Sequence, residues 1–307
     1  MPGIRFQNSI AIRDLQEKYR FSKESFINLL IGYDEKIYLL YGVNETNSKH
    51  KIRYSVLELE VDWDSGMLLQ EKFYSLGKFS MQFQSVQPLH DKLLLVSSAS
   101  HYSSQTGGQK NAVLLDRTGN LYHRFCLGDG ISDCLVLSDG RIITSYFIEG
   151  MVGGHHGWDY PIGKSGLLIW NDAGQIIWDA EKYGILEYYA MNIDDAENLW
   201  FYYYPDFHLI RTDGITDHSY YPHIEEAENF FFTKDTRHII FLKQQYQHLK
   251  FSYASLNYQK IGTYQKLRLQ YPEKIDTQCR YAFRNAKIAV FHPQQQQLFA
   301  KEIISII

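Results

Sequence analysis

The sequence predicts an all-β protein: a single six-bladed β-propeller of four-stranded blades over residues 1–307, with the N-terminal strand closing the last blade. Two observations predict it. An apolar run, a short polar turn and a second apolar or aromatic run recur six times, with turns at Asp34, Asp91, Asp139, Asp195, Asp235 and Asn285. The intervals are 57, 48, 56, 40 and 50 residues, and six such units use nearly all of the 307 residues. A strand-built repeat of about 40–50 residues marks a propeller of the WD40-like kind. Such a blade cannot bury both faces alone, so one domain is expected where length by itself suggests two.

Each copy reads as a β-hairpin that supplies the two inner strands of a blade. Asp, Asn and Gly at the turns tolerate tight reversals. The flanking runs, such as Leu199-Trp200-Phe201-Tyr202-Tyr203-Tyr204, do not alternate apolar with polar residues. Strands of that kind are covered on both faces, here by neighbouring blades. A second phrase supplies the outer hairpin in AVLLDRTGNLYHRF, GLLIWNDAGQIIW and HLIRTDGITDHSYY. In these, Gly119, Gly174 and Gly214 each follow a polar residue (Asp116, Asn171, Arg211) by three positions. Blade one offers SVLELEVDWDSGMLLQEKFY in that place, and blade five offers FSYASLNYQKIGTYQKLRL. Blade six runs out of chain after three strands. The strand-like run Ile4–Ile12 completes it and removes a free edge, and Asp14–Ser25 leads on through a helical turn. The Gln294–Gln297 tract reads as a solvated hairpin turn.

Composition restricts the function classes. With 31 basic against 35 acidic residues, net charge −4, nothing favours a nucleic-acid partner. Cys126, Cys134 and Cys279 form no CxxC pair, and a sparse, odd count fits a reducing compartment. No apolar stretch reaches the about 20 residues that span a bilayer, and the N-terminus has no signal-peptide pattern. A soluble, cytoplasmic, monomeric protein without membrane contact is expected. The 24 Tyr, 18 Phe and 5 Trp suit packing between blades.

The largest departure from the repeat is an insertion in blade three, about residues 149–165, containing MVGGHHGWDYPIGK. Long loops on rigid scaffolds often carry function. This one holds Glu149, His155, His156, Trp158, Asp159 and Tyr160 in a frame of Gly150, Gly153, Gly154, Gly157 and Gly163. These six non-glycine residues are the expected lining of a ligand or partner site. Trp158 either anchors that ligand or folds back and plugs the loop against its own blade.

Around this insertion the chain resembles a group of uncharacterised bacterial propeller-like proteins. The resemblance rests on Asp139-Gly140-Arg141-Ile142, Tyr146-Phe147-Ile148-Glu149-Gly150, Gly157-Trp158 and Ser165-Gly166-Leu167. It continues in Tyr189-Ala190-Met191-Asn192 and in the run Tyr202-Tyr203-Tyr204-Pro205-Asp206-Phe207-His208-Leu209-Ile210-Arg211, and spans about a quarter of the chain. The chain departs from the group pattern at Ile148 (Asp in the group), Met191 (Leu) and His208 (Pro). The resemblance implies a propeller and no assigned reaction.

Residue types suited to three chemistries bear on the site. Carboxylates Glu149, Asp159 and Asp206 converging at the propeller mouth would suit a hydrolase or lyase, with or without a divalent ion. His155, His156 and Asp159 are metal-ligand types, with His218 and His223 in the next blade, but the HExxH and Cys-containing zinc spacings are absent, so no metal and no cofactor is expected. Nucleophile frames are missing: Ser165-Gly166 lacks GxSxG, and Gly128-Asp129-Gly130 reads as a blade junction. Asp206 and Arg211 read as structural, one capping a turn and the other pairing across blades. The leading expectation is a non-enzymatic binding protein, an adaptor or immunity-type protein that recognises another protein through one face of the propeller. The alternatives are the carboxylate enzyme and a sugar or small-molecule binder that stacks its ligand on Trp158 and Tyr160.

Overall fold

The computed structural model describes residues 2–45, 51–245, 248–257, 260–273 and 278–306. Their strands form six blade sheets and one two-stranded ribbon, the arrangement of a six-bladed β-propeller. The chain divides into two compact bodies. One holds Phe21–Leu59 and Glu71–Tyr188, the other Met1–Arg20, Glu60–Gln70 and Tyr189–Ile307. All six expected inner turns fall between the paired strands.

Blade one uses strands Ser25–Ile31, Ile37–Asn44, Ile52–Asp62 and Met67–Phe79; all but the hairpin tip Glu60–Gln70 belongs to the first body, as do blades two and three. Blade two uses Ser85–Leu89, Lys92–Val96, Ala112–Leu115 and Leu121–Phe125. Blade three uses Ile131–Val136, Ile142–Tyr146, Leu167–Trp170 and Ile176–Asp179. Leu30, Tyr38, Leu40 and Val56 of blade one pack with Val86, Leu93, Leu95 and Val113 of blade two. This explains why the runs are apolar on both faces. Each such side chain contributes about 1.5–3 kcal/mol of burial.

An ionic cluster joins the same two blades. Glu58 accepts from Lys36 Nζ at 3.0 Å and Tyr74 Oη at 3.0 Å, and pairs with the Arg117 guanidinium of blade two. The two-stranded ribbon, Tyr102–Ser103 with Gly107–Gly108, is an elaboration of blade two that the repeat did not announce.

Blade four uses Glu187–Ile193, Leu199–Tyr204, His208–Thr212 and Asp217–Tyr220, and from Tyr189 onward the chain belongs to the second body. Blade five uses Asn229–Phe232, His238–Gln245, His248–Ser255 and Gln265–Gln270. Blade six uses Arg280–Arg284, Lys287–His292 and Gln297–Glu302.

The N-terminal run closes blade six, but with a division. Ile10–Ala11 pairs antiparallel with Gln297–Leu298 as the fourth strand of blade six. Gly3–Arg5 pairs parallel with Arg268–Gln270, so blade five gains a fifth strand. The buried Phe6 stacks on Tyr271 at 5.0 Å and touches Phe299 at 5.9 Å, pinning the crossover between the two sheets. The expected helical turn is the helix Ile12–Tyr19.

One expectation of the outer hairpins needs correction. Asp116 and Asn171 do cap their turns, each accepting two backbone N–H groups. In blade four that role falls to Asp213, which accepts from Ile215 and Thr216. Arg211 lies within a strand and its Nε donates to Asp194 Oδ2 at 2.8 Å. It thus pairs inside its own blade, not across blades.

Candidate functional site: the blade-three insertion

The insertion is more ordered than a loop. After Phe147 it forms the helical turn Ile148–Val152, and before the next strand a 3-10 turn, Ile162–Ser165. Between them the chain reverses tightly. Gly154 N–H donates to the Trp158 carbonyl at 2.7 Å, and Trp158 N–H donates to His155 at 2.9 Å. Gly157 has φ +83, and a Cβ there would lie 2.5 Å from the Tyr102 carbonyl oxygen. Only glycine allows that approach.

The reversal drives Trp158 inward. It is 5% exposed, its indole N–H donates to the Ser100 carbonyl at 2.5 Å, and its ring lies 5.0 Å from that of Tyr102. A Cβ at Gly108 would come within 2.7 Å of the indole, so the ribbon and the indole are in close contact. Trp158 therefore plugs the insertion onto the blade-two ribbon. This corrects its expected place in the lining and as a stacking platform; the partner blade is also blade two, not its own.

Asp129 forms the second anchor. Its carboxylate is buried, accepts the Ser100 N–H at 2.7 Å, and lies 3.0 and 2.9 Å from His156 Nδ1 through its two oxygens. The His156 carbonyl accepts the Tyr102 N–H at 2.8 Å, and the His101 ring sits 4.4 Å from the His156 ring. Nε2 of His156 has no hydrogen bond among the described residues and is the nitrogen left for a ligand.

His155, His156 and Glu149 do come together. With Ser98, Ala99, Asp129, Gly130 and Phe147 they line an open cleft of about 410 Å³. Asp159 and Tyr160 do not line it; both are exposed, Tyr160 at 91%. Asp206 belongs to the second body, in a cleft with Phe207, Tyr221, His223 and Lys243. Among the described residues no group of three or more His, Cys, Asp or Glu is placed to hold a metal ion, so His155, His156 and Asp159 are not gathered as a ligand set.

The nearby serine hydroxyls are engaged. Ser98 Oγ donates to the Ile131 carbonyl at 2.5 Å, and Ser100 Oγ to that of Gln109 at 2.8 Å. Burial pushes the Cys134 thiol far above its ordinary range, which suppresses thiolate formation. Tyr146, also raised by burial, donates to the Leu127 carbonyl at 2.6 Å. The insertion meanwhile presents apolar groups to solvent: Phe147, Ile148 and Val152 are each more than half exposed.

Sequence reasoning overlooked Asp129. Its signal was the Gly128-Asp129-Gly130 junction, where a charged residue sits between two glycines with positive φ. It also overlooked the cleft of about 510 Å³ at the blade-four and blade-five turns, where Asp194 holds Arg211 and the Trp200 indole N–H. Burial raises the Asp194 carboxyl, but hydrogen bonds from Asn198, Arg211 and Trp200 outweigh it and leave the pKa lowered.

No protein-family model matches the chain, and no curated protein matches it. Among solved structures it is similar to virginiamycin B lyase from Staphylococcus aureus, at 8% identity and TM-score 0.49 over 91% of this chain and 95% of that one. It is similar also to Kluyveromyces lactis Hsv2, at 10% identity and TM-score 0.49 over 92% and 75%. A third is the PQQ-bound aldose sugar dehydrogenase from Streptomyces coelicolor, at 9% identity and TM-score 0.45 over 91% and 94%. At that distance they carry no argument about activity; the class of the protein, a six-bladed β-propeller, rests on its own sheets. No helix of the described residues is long and apolar enough to cross a membrane.

Proposed function

We propose that this propeller is a non-enzymatic binding protein that recognises another protein through the blade-three insertion. The observation that carries the reading is a rigidly anchored, solvent-facing apolar surface. Trp158 and the Asp129–His156 contact anchor the insertion, while Phe147, Ile148, Val152 and Tyr160 along it are 52–91% exposed. Exposed apolar groups on a preorganised segment lose little entropy on docking and favour a protein partner. The engaged Ser98 and Ser100 hydroxyls argue against a serine nucleophile at this place.

The test is affinity capture with three baits: wild type, Ile148→Asp/Val152→Asp, and Asp206→Ala. A stoichiometric partner kept by wild type and Asp206→Ala and lost by the double variant supports the reading. Absence of any stoichiometric partner, or a partner indifferent to the double change, refutes it.

One observation favours a second reading, an acid–base hydrolase or lyase. A buried carboxylate facing Nδ1 orients a His whose other nitrogen is unengaged, in a cleft that also holds Glu149. In that case His156 moves the proton beside Glu149. Turnover of ester, lactone or glycoside substrates that disappears in His156→Gln would establish it.

A further inference from the structure

Blades one and two form a further cleft, of about 330 Å³, remote in sequence from the blade-three insertion and lined by Lys51, Lys78, Lys110 and Arg124 over Phe79 and Phe83. Among the described residues, none that lines it is acidic. In a chain of net charge −4, four cations lining one cleft are a local inversion of sign. Like charges gathered in one cleft repel each other, and an anion relieves that repulsion. Only Lys78 has a carboxylate, Glu45 at 2.8 Å, which Arg53 shares at 3.5 Å. Lys51, Lys110 and Arg124 have no ion pair among the described residues.

The wall of the cleft is apolar and held in place. Phe83 and Val113 are each 2% exposed, and Phe79 meets Phe83 edge-on at 5.3 Å. Tyr54 Oη accepts the Phe83 N–H at 2.9 Å and donates to the Met81 carbonyl at 3.0 Å, which clamps the segment from Met81 to Phe83. Ser80 and Gln109 add polar groups at the rim. Cations around an aromatic wall match a small molecule that joins a cluster of anionic oxygens to a planar apolar body.

We propose that this cleft binds a small organic polyphosphate, of which a nucleoside triphosphate is representative, with the phosphates on Lys51, Lys110 and Arg124 and the ring against Phe79. The proposal is independent of the protein-docking reading, because it uses none of the same residues.

Isothermal titration with ATP, tripolyphosphate and adenosine tests it. ATP should bind saturably at one site, tripolyphosphate more weakly, and adenosine without measurable heat. The variant Lys110→Glu/Arg124→Glu should weaken ATP binding by at least about tenfold, whereas Lys164→Glu/Lys182→Glu, the same change in net charge elsewhere, should alter it by less than about twofold. Both cleft substitutions are at exposed positions, so thermal melting should confirm that the variant stays folded. No saturable binding of either polyphosphate up to about 5 mM, or equal loss in both variants, overturns the proposal.

Discussion

Asp129, in the junction between blades two and three, lies 2.9 Å from Nδ1 of His156, twenty-seven residues later in the insertion. The carboxylate is buried and the imidazole is half-exposed, with 4% and 43% of their side chains accessible. A buried carboxylate needs a partner, so the contact both satisfies Asp129 and fixes the insertion on blade two.

Asp129→Ala should therefore loosen the insertion without opening the blades. The expected cost is about 2–3 kcal/mol, from the Ser100 N–H left unsatisfied and the lost His156 contact. Hydrogen exchange should speed up over residues 147–165 and remain unchanged in blade one. Equal exchange in the insertion would show that Asp129 does not hold it.

Trp158→Ala should be more costly. It removes a buried indole, its hydrogen bond to Ser100 and its contact with Gly108, with an expected loss of about 3–5 kcal/mol. Trp158→Phe keeps most of the volume and should recover much of the loss. A denaturant melt of the three proteins measures this, and an unchanged midpoint for Trp158→Ala would contradict the plug.

Glu58 makes the stability of blades one and two depend on acid. Burial raises its pKa, but the Lys36 hydrogen bond, the Arg117 and Lys36 charges and the Tyr74 hydroxyl outweigh burial and leave it lowered. A carboxylate lowered by folding contributes stability above its unfolded pKa, about 4.3, and loses it as pH falls through the folded value. Glu58→Gln should be less stable than wild type by about 3 kcal/mol at pH 7, since Lys36 and Arg117 lose their counter-charge. The gap should narrow below about pH 4, where the wild-type carboxyl also becomes protonated. Thermal melts across pH test this; a gap independent of pH would refute it.

Removing residues 1–13 should destabilise blades five and six together. The truncation takes away Gly3–Arg5 from blade five, Ile10–Ala11 from blade six and Phe6 from their shared core. Two sheet edges are exposed and four buried apolar side chains, Ile4, Phe6, Ile10 and Ile12, are lost. A truncated protein that melts like the full chain would show that the N-terminal strands contribute no closure.

The sequence by itself determined the blade count and the inner hairpins, because a turn is local chemistry: Asp34, Asp139 and Asn285 sit between runs that are apolar wherever neighbouring sheets cover them. It also located the insertion, since extra residues between two repeat phrases are visible in any alignment of the chain with itself. Only the tertiary structure decided what the insertion does with its side chains. Whether Trp158 faces solvent or Ser100 depends on a blade-two ribbon 50 residues earlier, and the ribbon has no repeat signature. The partnership of Asp129 with His156 and the meeting of Lys51 with Arg124 in one cleft are likewise contacts between distant segments. Such contacts depend on which loops the blades bring side by side, and the periodicity of a repeat carries no information about that pairing.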